Sequence, residues 1–224
     1  MVVHSPTNKQ IEDAKAYLLK RLAVEQSAEA KLVGLLHEAA LKIYTAAKKY
    51  NVKPSELEKN TNKRLKYEIR DIINALESEI ELLTRDYIMK TPAEDDKESV
   101  IAWWGRDING KNYSERLKTH IGGWEKQIIA VGAAAIAANI ATEKFLNFMG
   151  KENISEEGRL TTLTRYSISD SWMYAYVGKA EMFYSMRGSS YPCSLCDSME
   201  GPHHVSDFNG PWHPRCCCIF IPMY

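Results

Sequence analysis

The chain has 224 residues, of which 45% are hydrophobic and 26% are charged, a composition typical of a globular protein with one large or two small domains. Lys plus Arg and Asp plus Glu both number 29, so no bulk attraction to nucleic acid or to a membrane surface is expected. Residues 1–9 contain no apolar run and therefore predict no signal peptide. The apolar stretch Ile128–Ala141 is shorter than the about 20 residues of a membrane span and predicts a closely packed buried helix.

Two amphipathic helices are predicted in residues 1–90. The first ends at Tyr50-Asn51, before Pro54, where Ser55 with Glu58 is typical of a capping box that opens a new turn. The apolar positions at helical spacing are Leu32, Leu35, Leu36, Ala39, Ile43 and Ala47 in the first helix and Leu65, Ile69, Ile72, Ile73, Leu76, Ile80, Leu83 and Tyr87 in the second. Two such helices joined by a short turn predict a helical hairpin, and a coiled-coil arm that binds a partner is the alternative.

Residues 91–112 break the helical pattern and predict a linker. Thr91-Pro92, the acidic run 94–96 and Asn109-Gly110 are typical of linkers and turns. Trp103-Trp104 lies within this segment. On a loop, adjacent tryptophans either anchor the segment to the core or face a partner, and anchoring is favoured because exposed aromatic patches are uncommon on monomers.

Residues 113–187 predict a second helical region. Ser114 is a candidate N-cap, and the helix that it opens is expected to run towards Met149-Gly150, with a kink or break at Gly122-Gly123. A last helix is predicted over about 156–186. Strand-like alternation is nearly absent before residue 190.

All five cysteines fall between positions 193 and 218. A disulfide-stabilised secreted protein would usually scatter its cysteines along the chain. Clustering instead indicates one local site in a protein made in a reducing cytoplasm.

The cysteine-rich segment 188–224 predicts a structural zinc site. Two residues separate Cys193 from Cys196, and two separate His213 from Cys216. At this spacing, two tight turns bring four ligands into a tetrahedron that suits zinc. Because so short a segment buries little apolar surface, metal binding would supply its folding free energy, about 10–16 kcal/mol in small zinc peptides. Four protein ligands leave no open position, so no catalytic residue is predicted.

Alternative assignments of the segment remain open. Cys218 could replace Cys216, since three cysteines are consecutive. A redox Cys-x-x-Cys pair would normally lie in a βαβ pattern, which is missing here. His203 and His204 could be ligands, or parts of an HNH-type nuclease, but Asn209 follows His204 too closely for the hairpin and helix that such a site needs.

The C-terminal pattern resembles the signature of the phage Mu F-like head morphogenesis family. The matching residues are Cys193, Cys196, Gly201, His213, Pro214, Cys216 and Cys218, with Pro222 nearby. Cys217 stands where the family often has Arg. With less specificity, the resemblance extends to residues 113–224 through Tyr113-Ser-Glu-Arg-Leu and Thr164-Arg165, followed by Tyr166 where the family often shows Glu.

The resemblance implies a minor head protein of a tailed phage, made in the bacterial cytoplasm and assembled inside the virion head. It implies portal and capsid proteins as partners, contact with packaged DNA as a possibility, and no catalytic activity. The alternatives are a zinc-dependent nuclease using His203, His204 and His213, and a zinc-containing DNA-binding module. Against the latter, residues 188–224 hold a single cation, Arg215, whereas phosphate binding normally needs several.

The predicted fold class is therefore mainly α. It combines the N-terminal hairpin at 1–90, the linker at 91–112, the helical core at 113–187 and a small zinc-binding module with short β and turn structure at 188–224.

Overall fold

The computed structural model describes residues 5–91 and 97–224. Its helices are α1 Asn8–Lys49, α2 Pro54–Glu58, α3 Lys63–Ile88, α4 Lys97–Trp104, α5 Tyr113–Ala137, α6 Phe145–Met149, α7 Ser155–Val177 and α8 Ser194–Ser198, and its strands are β1 Met182–Met186, β2 Gly201–His204 and β3 Ile219–Met223. The predicted fold class is confirmed: the protein is mainly helical, with short strands and a Cys/His cluster near the C-terminus. Two of the segments used above lie outside the described residues. They are the acidic run 94–96 and residues 1–4, which belong to the N-terminal segment without an apolar run.

No helix in the described part of the chain has both the length and the apolar character needed to cross a membrane.

The described residues form two compact units. The first gathers the described parts of Met1–Glu29, Thr84–Ile108 and Thr162–Tyr224, and the second gathers Ala30–Leu83 and Asn109–Thr161. Both units combine segments that are distant in sequence. The boundaries predicted at residues 90, 112 and 187 stay a prediction.

In the second unit, residues 30–49 of α1 and 63–83 of α3 form the antiparallel hairpin that was predicted. The Lys49 ammonium near the end of α1 lies 3.7 Å from the Glu68 carboxylate near the start of α3. The apolar stripes are buried, including Leu36, Ile43 and Ile69. Burial of these stripes is the main reason that both helices are stable, because helix propensity alone contributes little.

The N-cap of α2, in the hairpin turn, lies two residues before the predicted one. Pro54 occupies its first position, where the missing N–H costs nothing, and Lys53 is the N-cap. The Lys53 amide donates to the Glu56 carboxylate at 3.1 Å. The predicted box of Ser55 with Glu58 is therefore wrong, since Pro54 sets the register.

The helix α5 begins and ends elsewhere than predicted. Its N-cap is Asn112, whose side chain accepts from the Glu115 amide at 3.0 Å while Glu115 accepts from the Asn112 amide at 3.0 Å. The prediction of Ser114 as the cap is wrong because this reciprocal box forms two residues earlier. The helix also passes through Gly122-Gly123 without a break and ends at Ala137.

In the first unit, the predicted last helix ends early. Gly178 closes α7, with its amide donating to the Tyr174 carbonyl at 2.8 Å. Residues 182–186 form β1, the central strand of an antiparallel sheet of order β2-β1-β3, rather than helix. Phe183 and Ser185 point inwards and are fully buried. The helical prediction for 178–186 is wrong because pairing with two distant strands satisfies this backbone.

The paired tryptophans lie at the end of α4 instead of on a loop. The Trp103 indole stacks on Tyr174, with 4.2 Å between ring centroids, and its Nε1–H donates to the Asp170 carboxylate at 2.9 Å. Trp103 packs against the core of the first unit, so its predicted role as an anchor is confirmed.

Candidate metal centre

A helical turn sets the spacing of the first cysteine pair. Cys193 is the residue before α8, and Cys196 lies within that helix. The Asp197 amide donates to the Cys193 carbonyl at 3.0 Å and closes the turn. Residues three positions apart in a helical turn have their side chains on the same face, so both thiols point in the same direction.

A second turn, here called the 213–218 turn, brings the other candidate ligands. The Cys216 amide donates to the His213 carbonyl at 3.1 Å. Arg215 adopts a left-handed conformation with φ 65°, which reverses the chain between the two ligands. The strand β3 follows this turn and pairs with β1, so the sheet fixes the turn against the body of the unit.

The two turns meet in what is here called the Cys/His cluster: Cys193, Cys196, His213, Cys216 and Cys218. The His213 Nε2 atom lies 3.3 Å from the Cys193 Sγ and 3.1 Å from the Cys196 Sγ. The Cys196 and Cys216 Sγ atoms are 4.0 Å apart. Tetrahedral zinc would hold such atoms about 3.5 to 3.8 Å from one another, so the residues fit one ion after small adjustments.

The cluster consists of two overlapping triads that could each hold a metal ion. Cys193, Cys196 and His213 form the first, and Cys196, Cys216 and Cys218 form the second; within each triad the ligand atoms lie within 4.8 Å of one another. Cys196 belongs to both. All four residues predicted as ligands are therefore brought together, and Cys218 lies beside them.

Hydrogen bonds orient the imidazole for coordination. The His213 Nδ1 atom lies 2.8 Å from the Pro214 carbonyl oxygen, which can only accept, so Nδ1 carries the proton. The Nε2 lone pair then faces the thiols. An imidazole held in this way by a carbonyl is the usual arrangement of a metal-bound histidine.

The hydrogen bonds around the last two thiols favour Cys216 over Cys218 as the fourth ligand. The Cys218 thiol and amide both donate to the Cys216 sulfur, the amide at 3.4 Å, and they lower the pKa of Cys216 to about 5. The pKa of Cys218 is raised by its bond to Cys216 and by burial. In both hydrogen bonds Cys218 is the donor and the Cys216 sulfur is the acceptor, and Cys216 is also the residue with the matched spacing. The complete ligand set remains a prediction.

The other histidines of the segment make different contacts. The His203 Nε2 atom lies 2.9 Å from the Met199 carbonyl oxygen, and the ring stacks on Phe183. The His204 Nδ1 atom is 2.7 Å from the Ser206 hydroxyl. Neither belongs to a metal-holding group found among residues 5–91 and 97–224.

The sequence pattern did not reveal one buried residue that contacts the cluster. Arg21 of α1 donates from Nη2 to the Cys216 carbonyl at 2.9 Å. A sequence signal existed, because Arg21 and Glu25 interrupt an otherwise apolar helical stripe that includes Leu18, Ala28 and Leu32. Charged residues at such positions indicate a buried polar contact, although not its partner.

A cleft of about 400 Å³ opens beside the cluster and is lined in part by Arg187, Tyr191 and Arg215. It gives a metal ion or a chelator a path to the thiols.

Comparison of the chain with protein-family models, with curated proteins and with solved structures found no match.

Proposed function

We propose that the chain is a structural protein of a tailed-phage head, acting in head assembly beside the portal, and that a zinc ion in the Cys/His cluster fixes its C-terminal module. The observation that carries this proposal is the convergence of three thiols and an imidazole from two separate turns. The role in the head rests on the resemblance of that segment to the head morphogenesis signature.

The donor set supports zinc among the metals. Thiolate and imidazole ligands in a tetrahedral arrangement suit zinc, whereas magnesium and calcium prefer oxygen. Cys193, Cys196, His213 and Cys216 supply four protein ligands, which favours a structural ion over a catalytic one. The metal would replace close thiol contacts by bonds and hold the 213–218 turn to α8.

Metal analysis of reduced, purified protein tests the zinc site. We expect one zinc per chain, with affinity measured by competition with a chromophoric chelator. Cys196→Ser removes the residue common to both triads and should abolish tight binding. Cys217→Ser is the matched control, because this thiol lies between two cluster members in the sequence, belongs to neither triad and donates to the Arg215 carbonyl at 3.6 Å. A folded, reduced chain without bound metal would refute the zinc site.

The choice between Cys216 and Cys218 has its own test. If Cys216 is the fourth ligand, Cys216→Ser weakens zinc binding far more than Cys218→Ser does. The reverse order would assign the ligand to Cys218.

Crosslinking mass spectrometry on intact particles tests the role in the head. We expect links from this chain to portal or capsid proteins. Absence of the chain from the particle, or its presence without such links, would contradict the proposal.

Incubation with DNA and divalent metal tests the rival nuclease. The structural role predicts no cleavage. Sustained cleavage that is lost in His204→Ala would contradict the structural role and support a nuclease instead.

A further inference from the structure

The N-terminal part of α1 packs on the sheet that follows the 213–218 turn. Ala14 and Leu18 form a buried apolar cluster with Ile219 and Ile221 of β3. The Tyr17 hydroxyl donates to the Trp172 carbonyl at 2.6 Å. Residues 8–29 of α1 therefore belong to the same compact unit as the Cys/His cluster.

Two charged residues are buried in this contact. Arg21 is 2% exposed and Glu25 is 3% exposed. The Arg21 Nε atom lies 3.2 Å from a Glu25 carboxylate oxygen, and Arg165 of α7 lies 3.4 Å from the other oxygen. Removing such charges from water costs several kcal/mol for each ion, and only well-placed partners offset this cost.

One of those partners is the backbone of the candidate metal ligand. The Cys216 carbonyl accepts from Arg21 at 2.9 Å, across a sequence separation of 195 residues. This hydrogen bond forms only when the 213–218 turn is in place. Without the turn, the guanidinium would lose this buried acceptor.

The fit around this contact leaves little room for an alternative position of the turn. A Cβ atom at Gly188 would lie 1.9 Å from the Cys217 carbonyl oxygen and 2.8 Å from the Leu18 side chain. The segment after β1, the 213–218 turn and α1 thus approach each other closely. A shift of the turn would disturb α1 directly.

We propose that Arg21 is a positioning residue of the metal site, and that metal binding and the docking of residues 8–29 are coupled through its contact with Cys216. This inference rests on the proposed zinc site. Zinc with three thiolates and a neutral imidazole carries a net charge of about −1, and Arg21 supplies a buried positive charge next to it. Groups that orient ligands in this way contribute about 10- to 100-fold to metal affinity.

Thermodynamic linkage makes the coupling reciprocal. If the docked helix strengthens metal binding by a given factor, the bound metal strengthens docking of the helix by the same factor. Removal of the metal should therefore loosen residues 8–29, although they lie far from the cysteines in sequence.

Substitution of Arg21 tests the first direction. Arg21→Met keeps an unbranched apolar stem and removes the charged guanidinium, Arg21→Lys restores the charge without the planar fork, and Arg64→Met on the exposed side of α3 is the control. We expect Arg21→Met to weaken zinc binding about 10- to 100-fold and to alter the visible absorption of the cobalt-substituted protein, Arg21→Lys to recover part of both, and Arg64→Met to change neither. Unchanged affinity and absorption in folded Arg21→Met would overturn the inference.

Limited trypsin digestion of the wild-type protein tests the second direction and does not depend on the folding of a variant. Lys15 and Lys20 are exposed on α1, and Lys66 and Arg70 are exposed sites on α3. Chelation of the metal should accelerate cleavage at the α1 sites and leave the α3 sites unchanged. Equal rates at the α1 sites with and without metal would overturn the coupling. A wild-type chain that binds neither zinc nor cobalt would instead refute the proposed zinc site.

Discussion

Replacement of Gly188 by alanine tests the close packing beside the 213–218 turn. The added Cβ would lie 1.9 Å from the Cys217 carbonyl oxygen, whereas real Cβ atoms essentially never approach another heavy atom within 3.0 Å. The two segments must therefore separate by about 1 Å or more, and the nearest atom belongs to the backbone, which cannot rotate away as a side chain would. The φ angle of Gly188 lies outside the left-handed range, so the cost is steric and not conformational.

Overpacking of this kind costs about 1–3 kcal/mol. For a chain of this length, each kcal/mol lowers the Tm by about 2–4 °C, so Gly188→Ala should unfold about 2–12 °C below the wild type. Gly122→Ala is the control, because a Cβ there meets nothing within 4 Å inside α5. Alanine is the better helix former, and this variant should gain about 0.4–1 kcal/mol.

Thermal unfolding followed by circular dichroism at 222 nm, with excess zinc, measures both variants. Displacement of the turn by Gly188→Ala should also weaken zinc binding, whereas Gly122→Ala should leave it unchanged. The packing argument would be refuted if Gly188→Ala were as stable as the wild type while the control behaved as expected.

Three further predictions concern buried polar groups of the first unit. Asp170 is buried and accepts from the Arg106 guanidinium at 2.7 Å, so Asp170→Asn should lose about 3–5 kcal/mol in urea unfolding, and a loss below about 1 kcal/mol would contradict the importance of this pair. Burial raises the pKa of Tyr17 from 10.0 to about 12. The unfolded chain then releases this proton near pH 10 and the folded chain only near pH 12. The free energy of unfolding should therefore fall by up to about 2.7 kcal/mol as the pH rises through this window, and Tyr17→Phe should remove this part of the pH dependence. The Trp212 indole donates to the buried Ser185 hydroxyl at 3.0 Å, so Trp212→Phe should lose about 1–3 kcal/mol by urea titration, and unchanged stability would mean that water satisfies the hydroxyl.

The helices of the hairpin and the position of the Cys/His cluster could be predicted because their signals are local. A stripe such as Leu65 to Ile80 repeats within one helix, and the Cys193–Cys196 spacing needs only one turn. Competing local signals were harder to resolve. Asn112 and Ser114 are both good N-caps, and only Asn112 has a glutamate three residues later that completes the box.

The features that were missed depend on distant partners. Residues 182–186 form a strand because 201–204 and 219–223 pair on either side of them, and nothing within five residues reveals this. The same holds for Arg21, whose charge is explained only by a carbonyl at position 216. Periodicity describes which face of an element is apolar, but it does not identify what that face meets.

The contact between Arg21 and Cys216 also has a consequence for synthesis. A ribosome adds about 5–20 residues per second, so the 195 positions between the two residues take about 10–40 s to translate. During that time the Ala14 and Leu18 side of the first helix has emerged, but β3, which covers it, does not yet exist. The nascent chain must therefore keep an apolar helix face and two charges uncovered until residues 216–221 are made. We therefore expect a chaperone to bind the first helix while the rest of the chain is being synthesised.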